Sequence, residues 1–426
     1  MAGAANMDPR ALLTRLFEAA VARASPAGLF DGRLPDPPAG RTLVIGAGKA
    51  AAAMAQAFER AWQAPLSGMV ITRYGHGAAC ERIEVVEAAH PVPDEAGRTA
   101  TARLLATAEA MGPGDLVVGL ISGGGSALLA APSGPLTLND EQTVTRALLR
   151  SGAPIGAINI VRKHMSAVKG GRLALAAAPA RVVTYIISDI PGDDPAQVAS
   201  GPTFADPTSR HDALAVLDRY RIDAPAVRAW LGNPESETPK SLPAARHVVL
   251  ATARDALDAA ADAAREHGYQ PVILGDAIEG EAREVARAHA AIAKSVRTGS
   301  DIAAPPCVLL SGGETSVTVR GGGRGGRNAE YLLALALELG GAPGISALAA
   351  DTDGLDGTED NAGAIIRPGT LAAAAKRGID AAAALADNDG YGFFARLDAL
   401  LVTGPTRTNV NDFRAILIDP IQARSE

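Results

Sequence analysis

Only two cysteines, Cys80 and Cys307, occur in a chain of 426 residues. So few exclude a disulfide framework, and the lack of Cys-x-x-Cys or histidine-rich spacing excludes the common zinc sites. A reduced, cytoplasmic setting is expected. An excess of basic charge is also missing. The formal net charge is −7 and the pI is near 5.6, which argues against nucleic acid or an anionic membrane surface and leaves small molecules as the expected partners. No stretch approaches the roughly 18–20 unbroken apolar residues of a membrane span, and Met1–Arg10 lacks the apolar core of a signal peptide. No repeat of solenoid period is found. Three familiar site signatures fail as well. The Walker spacing Gly-x4-Gly-Lys-Ser/Thr does not occur, and Gly-x-Ser-x-Gly is broken because Ser126 is followed by Ala127 and Leu128. The acidic stretch Asp351–Asn361 puts Leu355 and Asp356 where a calcium loop requires Asp or Asn and then Gly.

What is present suits an α/β protein. At 47% hydrophobic and 20% charged residues the chain buries a substantial core, and its length suggests two domains. Asp8-Pro9 reads as the cap and first residue of an amphipathic helix, Arg10–Ala24. Short β-rich runs then alternate with helical patterns: strands at Thr42–Ile45, Met69–Thr72, Ile83–Val86, Leu116–Ile121 and Val182–Ile187, helices at Ala50–Trp62, Glu95–Met111 and Asp140–Arg150. That rhythm predicts a mostly parallel sheet covered by helices. The polar, proline-rich stretch Gly232–Pro243 interrupts it, so one domain is expected over residues 1–238 and a second over 239–426. The second opens with a β-α-β unit, His247–Ala251, Asp255–His267 and Pro271–Leu274. Further strands are expected near Val308–Leu310, Ser316–Val319, Ile345–Ala349 and Ala415–Ile418.

The chemistry-bearing segments sit where strands end. Gly321-Gly-Gly-Arg324-Gly325-Gly326-Arg327-Asn328 precedes the helical run Ala329–Leu339, and glycines ahead of a helix N-terminus present free N–H groups to an anion such as phosphate. Arg324 and Arg327 strengthen this reading, because the helix dipole disfavours a cation in the first turn unless an anion offsets it. Gly46-Ala-Gly48-Lys49-Ala-Ala51 fits a relaxed dinucleotide fingerprint, but Arg73, Tyr74 and His76 stand where a second strand would offer an acid to a ribose. Ser122-Gly123-Gly124-Gly125-Ser126 and Ser311-Gly312-Gly313-Glu314 each follow a strand and are read as anion-binding turns. Acid clusters at Asp189–Asp194 and Asp351–Asp360 offer oxygen ligands of the kind magnesium takes. His90, in the rigid turn His90-Pro-Val-Pro-Asp94, and His164 read as structural, and Lys163, Lys169 and Arg172 suit a helix C-terminus.

Taken together and in order, Gly46-Ala-Gly-Lys49, His90-Pro-Val-Pro-Asp94, Ser122-Gly-Gly-Gly-Ser126, Lys169-Gly-Gly-Arg172, Ser188-Asp189-Ile-Pro-Gly-Asp193, Ser311-Gly-Gly-Glu314, Gly325-Gly-Arg327-Asn328 and Thr352-Asp353-Gly-Leu-Asp-Gly357 resemble the glycerate 2-kinase family over nearly the whole chain. The resemblance implies a Rossmann-like N-terminal domain, a C-terminal α/β domain of MOFRL type with a mixed sheet, and a site in the cleft between them. It implies ATP- and Mg2+-dependent phosphorylation of D-glycerate at its 2-hydroxyl, and the family's catalytic cations match Lys49 and Arg327. On this reading Asp189 accepts the hydroxyl proton, and Asp193, Glu314, Asp351 and Asp353 hold the metal. Gly46, Gly48, Ser122–Ser126, Ser311–Gly313, Gly325, Gly326 and Asn328 bind substrate or phosphate. Some members are called hydroxypyruvate reductases. An NADPH-dependent reductase, with Gly46–Ala51 on the pyrophosphate and Arg73 on the 2′-phosphate, is the alternative, and a homodimer stays open.

Overall fold

The computed structural model describes residues 7–190, 192, 194–243 and 245–420. Contacts divide the chain into two compact units. One comprises residues 26–190 and 194–250. Its sheet contains β1 (Thr42–Ala47), β2 (Ser67–Arg73), β3 (Ile83–Ala88), β4 (Leu116–Ser122), β5 (Arg181–Ile187) and β6 (Ala245–Ala251), in the order β3-β2-β1-β4-β5-β6. β1 to β5 run parallel. Every residue of β1 and of β4 is buried, as expected of apolar strands covered by helices on both faces. This is the strand order of dinucleotide-binding sheets, in which the chain reverses direction between β1 and β4, and the loops after those strands open the ligand crevice. The expected parallel sheet is found.

Between β4 and β5, and again after β5, the same unit builds a helical layer. Helices Leu138–Arg150, Ile155–His164, Arg210–Arg219 and Pro225–Gly232 bury one another's apolar faces around Leu148, Val161, Leu217 and Trp230. The cations of the Lys163–Arg172 segment belong to this architecture. Lys169 is fully buried, with Nζ 2.9 Å from Glu141 and 2.8 Å from the Leu129 carbonyl. Lys163 pairs with Asp206 at 3.4 Å, and Arg172 donates to the carbonyls of Lys163, Ser166, Ser236 and Glu237.

Among the described residues, the other unit comprises 7–25, 192 and 251–420. Its sheet uses β7 (Gln270–Gly275), β9 (Cys307–Gly313), β11 (Ile345–Asp351), β12 (Gly363–Ile366), β13 (Leu400–Leu401) and β14 (Asp412–Ile418), in the order β13-β12-β11-β14-β9-β7. Only the β7–β9 pair is parallel, so the sheet is mixed as expected. A separate ribbon pairs β8 (Gly280–Glu281) with β10 (Thr315–Ser316), which is all that forms of the strand expected at 316–319.

Three boundaries differ from the sequence reading. β6 is an edge of the first sheet while β7 lies in the second, so no β-α-β unit forms at 247–274. Helix Pro9–Ala24 packs within the unit of the C-terminal half, where Phe17 meets Phe413 edge to face at 5.9 Å. The division therefore falls after residue 250 instead of 238 and returns the first helix to the second unit. Local pattern shows that a helix has an apolar face, but the partner of that face is a long-range fact.

Candidate active site

In the first unit, the loops after β1 and β4 interlock. The Lys49 N–H donates to the Gly123 carbonyl at 2.8 Å, and the Ala50 N–H to Ser122 Oγ at 3.0 Å. Gly48 has φ 141°, and a Cβ there would lie 2.1 Å from Ser122 Oγ, so only glycine fits. A Cβ on Gly124 would lie 3.2 Å from both the His90 ring and Lys49 Cγ, which places the lysine stem and that imidazole against the glycine turn. The β4–β5 register sets Ile187 beside Ser122. Asp189, half-buried, thus leaves the sheet beside the same turn.

In the second unit, Arg327 opens the helix Arg327–Leu339 and is held as a fork. Its Nε lies 2.7 Å from Asp412 Oδ1, one terminal nitrogen 2.7 Å from Asp351 Oδ2, and the other 3.4 Å from Glu314. The Arg327 side chain keeps 22% exposure while Asp351 and Asp412 are buried. Burial alone would lower the Arg327 pKa, but Asp412, Asp351 and Glu314 outweigh it and hold the guanidinium firmly charged. Asp412 in turn bonds Arg414 at 2.5 Å and accepts from Asn328 Nδ2 at 2.8 Å and the Thr315 N–H at 3.2 Å. Burial opposes its ionisation, yet Arg327 and Arg414 keep its pKa low. A cavity of about 260 Å3 adjoins the fork, lined by Thr315, Val317, Gly325, Gly326, Arg327 and Gly357 among others.

In the glycine arm and at the helix start that follows it, the anion cradles read from the sequence are formed, but the chain's own oxygens fill them. Asp356 accepts from the Asn328 and Ala329 N–H groups at 3.0 and 2.8 Å, at the helix start assigned to phosphate. Asn388 Oδ1 takes the N–H groups of Arg320 and Gly321, Asp387 those of Gly322 and Gly323, and Asp389 that of Arg324. Arg324 lies over the Tyr391 ring at 4.6 Å and pairs with Glu359 at 3.4 Å, so no ligand is needed to explain its charge. Ser122 is fully buried as a cap. Gly46 is a strand residue whose Cβ would meet the Leu120 carbonyl at 2.2 Å. Ser311, Gly312 and Gly313 are not a turn: they belong to β9 and pair with Arg414, Phe413 and Asp412.

Most of the carboxylates assigned to magnesium already have partners within the chain. Among the described residues no group of three His, Cys, Asp or Glu side chains is placed to hold an ion. Asp351 is committed to Arg327 and to the Asp353 N–H, and Asp353 accepts from the Leu355 N–H. Glu314 alone keeps a half-exposed carboxylate, and Asp193 lies outside the described residues. Sequence reasoning passed over Asp412, Arg414 and the capping role of Asp356. Two charges inside the otherwise apolar run Asp412–Ile418 were the available signal, since a buried charge demands a partner.

Residues 12–232 match the family described as Domain of unknown function (DUF4147), and residues 307–412 match the MOFRL family. A protein of Agrobacterium vitis named "Putative hydroxypyruvate reductase" is 53% identical over 420 residues, covering 97% of this chain and 95% of that protein. A D-glycerate 2-kinase of Thermotoga maritima is 40% identical over 376 residues, covering 87% and 89% respectively. The crystal structure of a glycerate kinase from Thermotoga maritima has a TM-score of 0.86 at 38% identity, covering 96% of this chain and 99% of that one.

Proposed function

The chain belongs to the glycerate 2-kinase family, and from that premise we propose that it transfers the γ-phosphoryl group of ATP to the 2-hydroxyl of D-glycerate, giving 2-phosphoglycerate. Lys49 and Arg327 supply the positive charge for the transferred group. Phosphoryl transfer asks a protein chiefly for in-line positioning and for charge to offset three equatorial oxygens. The observation that carries this reading is Arg327, a guanidinium fixed on two sides by buried carboxylates with its remaining edge beside a cavity. Asp189 is the proposed acceptor of the hydroxyl proton. Magnesium entering with the nucleotide would offset the charge of its phosphates, and no step is assigned to a protein-held ion.

The name carried by the 53% identical relative keeps a second reading alive, reduction of hydroxypyruvate by NADPH. Against it, the N–H groups of Lys49 and Ala50 that would meet a pyrophosphate are already bonded to Gly123 and Ser122. The purified protein is expected to release ADP from ATP and D-glycerate, with phosphorus NMR identifying 2-phosphoglycerate. Robust consumption of NADPH with hydroxypyruvate, and no ADP release, would reverse the choice. Replacing Lys49 by Met removes the charge but keeps the apolar stem against Gly124. It is expected to lower turnover about a hundredfold or more and leave the thermal midpoint nearly unchanged. Undiminished turnover in that variant would remove Lys49 from the reaction.

A further inference from the structure

Ser126 closes the glycine turn after β4, is half-buried, and lies with its Oγ 2.8 Å from that of Ser200. Two hydroxyls at this distance do not by themselves reveal which is the donor. The groups behind Ser200 do. The Asp194 carboxylate only accepts, so Gln197 presents Nε2 to it at 3.2 Å and turns Oε1 the other way. Asn159 Nδ2 lies 3.2 Å from the Gln197 carbonyl and 3.3 Å from that Oε1, both acceptors. This fixes the Asn159 amide, whose Oδ1 then faces Ser200 Oγ at 2.9 Å and takes its single hydrogen. With that hydrogen used, Ser200 can only accept from Ser126. The Ser126 proton therefore points inward, and lone pairs are what its oxygen offers a ligand.

Reversing the relay would leave Asn159 Oδ1 without a donor, and Asn159 and Ser200 are both 0% exposed. An unmet buried acceptor is costly, because it gives up its bond to water and gains none in return. Nor can Ser200 easily swing aside. It sits in a run of left-handed residues, Ala199 at φ 52°, Ser200 at 60° and Gly201 at 59°. Such backbone persists only where surroundings hold it. Here Ala199 packs on Ile121 and Ile186, and the carbonyls of Ser200 and Gly201 accept from the N–H groups of Gly170 and Gly171 at 3.0 and 2.8 Å.

We infer that Ser126 Oγ accepts a hydrogen bond from a hydroxyl of the bound hydroxy acid, and that Ser200 and Asn159 are positioning residues that set its polarity. This rests on the kinase reading of the same site. It replaces the expectation that Ser126 grips a phosphate or carboxylate, because an oxygen whose proton is already donated has nothing to give an anion. The place fits: Ser126 is two residues from Gly124, which packs against Lys49 and His90.

The test measures binding of three carboxylic acids by calorimetry: D-glycerate, D-lactate, which lacks its 3-hydroxyl, and 3-hydroxypropanoate, which lacks its 2-hydroxyl. Ser126→Ala is expected to weaken D-glycerate about tenfold, the loss of one hydrogen bond. It should leave unchanged the analogue that lacks the contacted hydroxyl, which names that hydroxyl. Ser200→Ala keeps Ser126 but frees its proton, and is expected to reduce the preference for D-glycerate over the same analogue with the KM for ATP unchanged. An equal loss for all three acids in Ser126→Ala would show a carboxylate grip and overturn the inference. So would an effect confined to the nucleotide, or none. A wild-type protein that neither binds D-glycerate nor releases ADP with it would instead defeat the kinase reading and this inference with it. Active wild type with a uniform Ser126→Ala loss defeats the inference alone.

Discussion

Arg327 spends two of its nitrogens on Asp412 and Asp351 and leaves the third toward Glu314 and the cavity. A lysine at this position carries the same charge on one compact ammonium, which cannot bridge both carboxylates and still face a ligand. Arg327→Lys is expected to lower kcat about a hundredfold, a loss read by steady-state kinetics. It should also lower the urea midpoint, because Asp351 loses a buried partner. A variant with full kcat would show that charge alone suffices at 327. At this scale the dipole argument singles out Lys49, Arg324 and Arg327 as cations in need of an anion without coordinates. It was silent on what holds them. Asp412 lies 85 positions from Arg327, and nothing in local spacing connects them.

Helix Arg327–Leu339 starts without a side-chain cap of its own, its N-cap being Gly326. Asp356 supplies the cap from the loop after β11, so close that a Cβ on Gly326 would lie 2.3 Å from its carboxylate. Asp356→Ala strips acceptors from two buried N–H groups and is expected to cost about 1–2 kcal/mol of stability by urea unfolding, with Asp356→Asn losing less. Equal midpoints for wild type and Asp356→Ala would show that these groups find other partners. The expectation of an anion at this helix start was sound physics applied to the wrong anion. Glycines before a helix do announce unmet donors, but whether a ligand or a distant aspartate meets them depends on chain path. The glycine arm 320–326 repeats the case with Asp387, Asn388 and Asp389.

Two buried titrating groups give the whole molecule an opposed pH response. Burial lowers the His289 pKa from 6.5 to about 4, with Arg414 adding to the shift, so its contribution to stability is complete above 6.5 and is lost as pH falls toward 4. Burial raises Asp356 from 3.8 to about 6 despite its two N–H donors, so its contribution is greatest below 3.8 and is lost as pH rises through 6. Between about pH 4 and 6 the two slopes largely cancel. His289→Gln removes one of them. The stability gap between wild type and this variant is expected to shift by about 2 kcal/mol toward the variant between pH 7 and pH 4.5, measured by urea titration at each pH. A constant gap would show that His289 is not held neutral. The alternation of strands and helices, with largely apolar β1 and β4, was enough to specify a parallel sheet, because burial on both faces leaves that pattern along the chain. The glycines where strands end likewise marked the regions of close backbone approach. Only the tertiary structure decided that β6 closes the first sheet, that the first helix joins the second unit, and that Asp356, Ser122 and Asn388 fill the cradles. Each of these depends on which distant segment satisfies an apolar face or an unmet donor, and a linear pattern records the demand without recording what meets it.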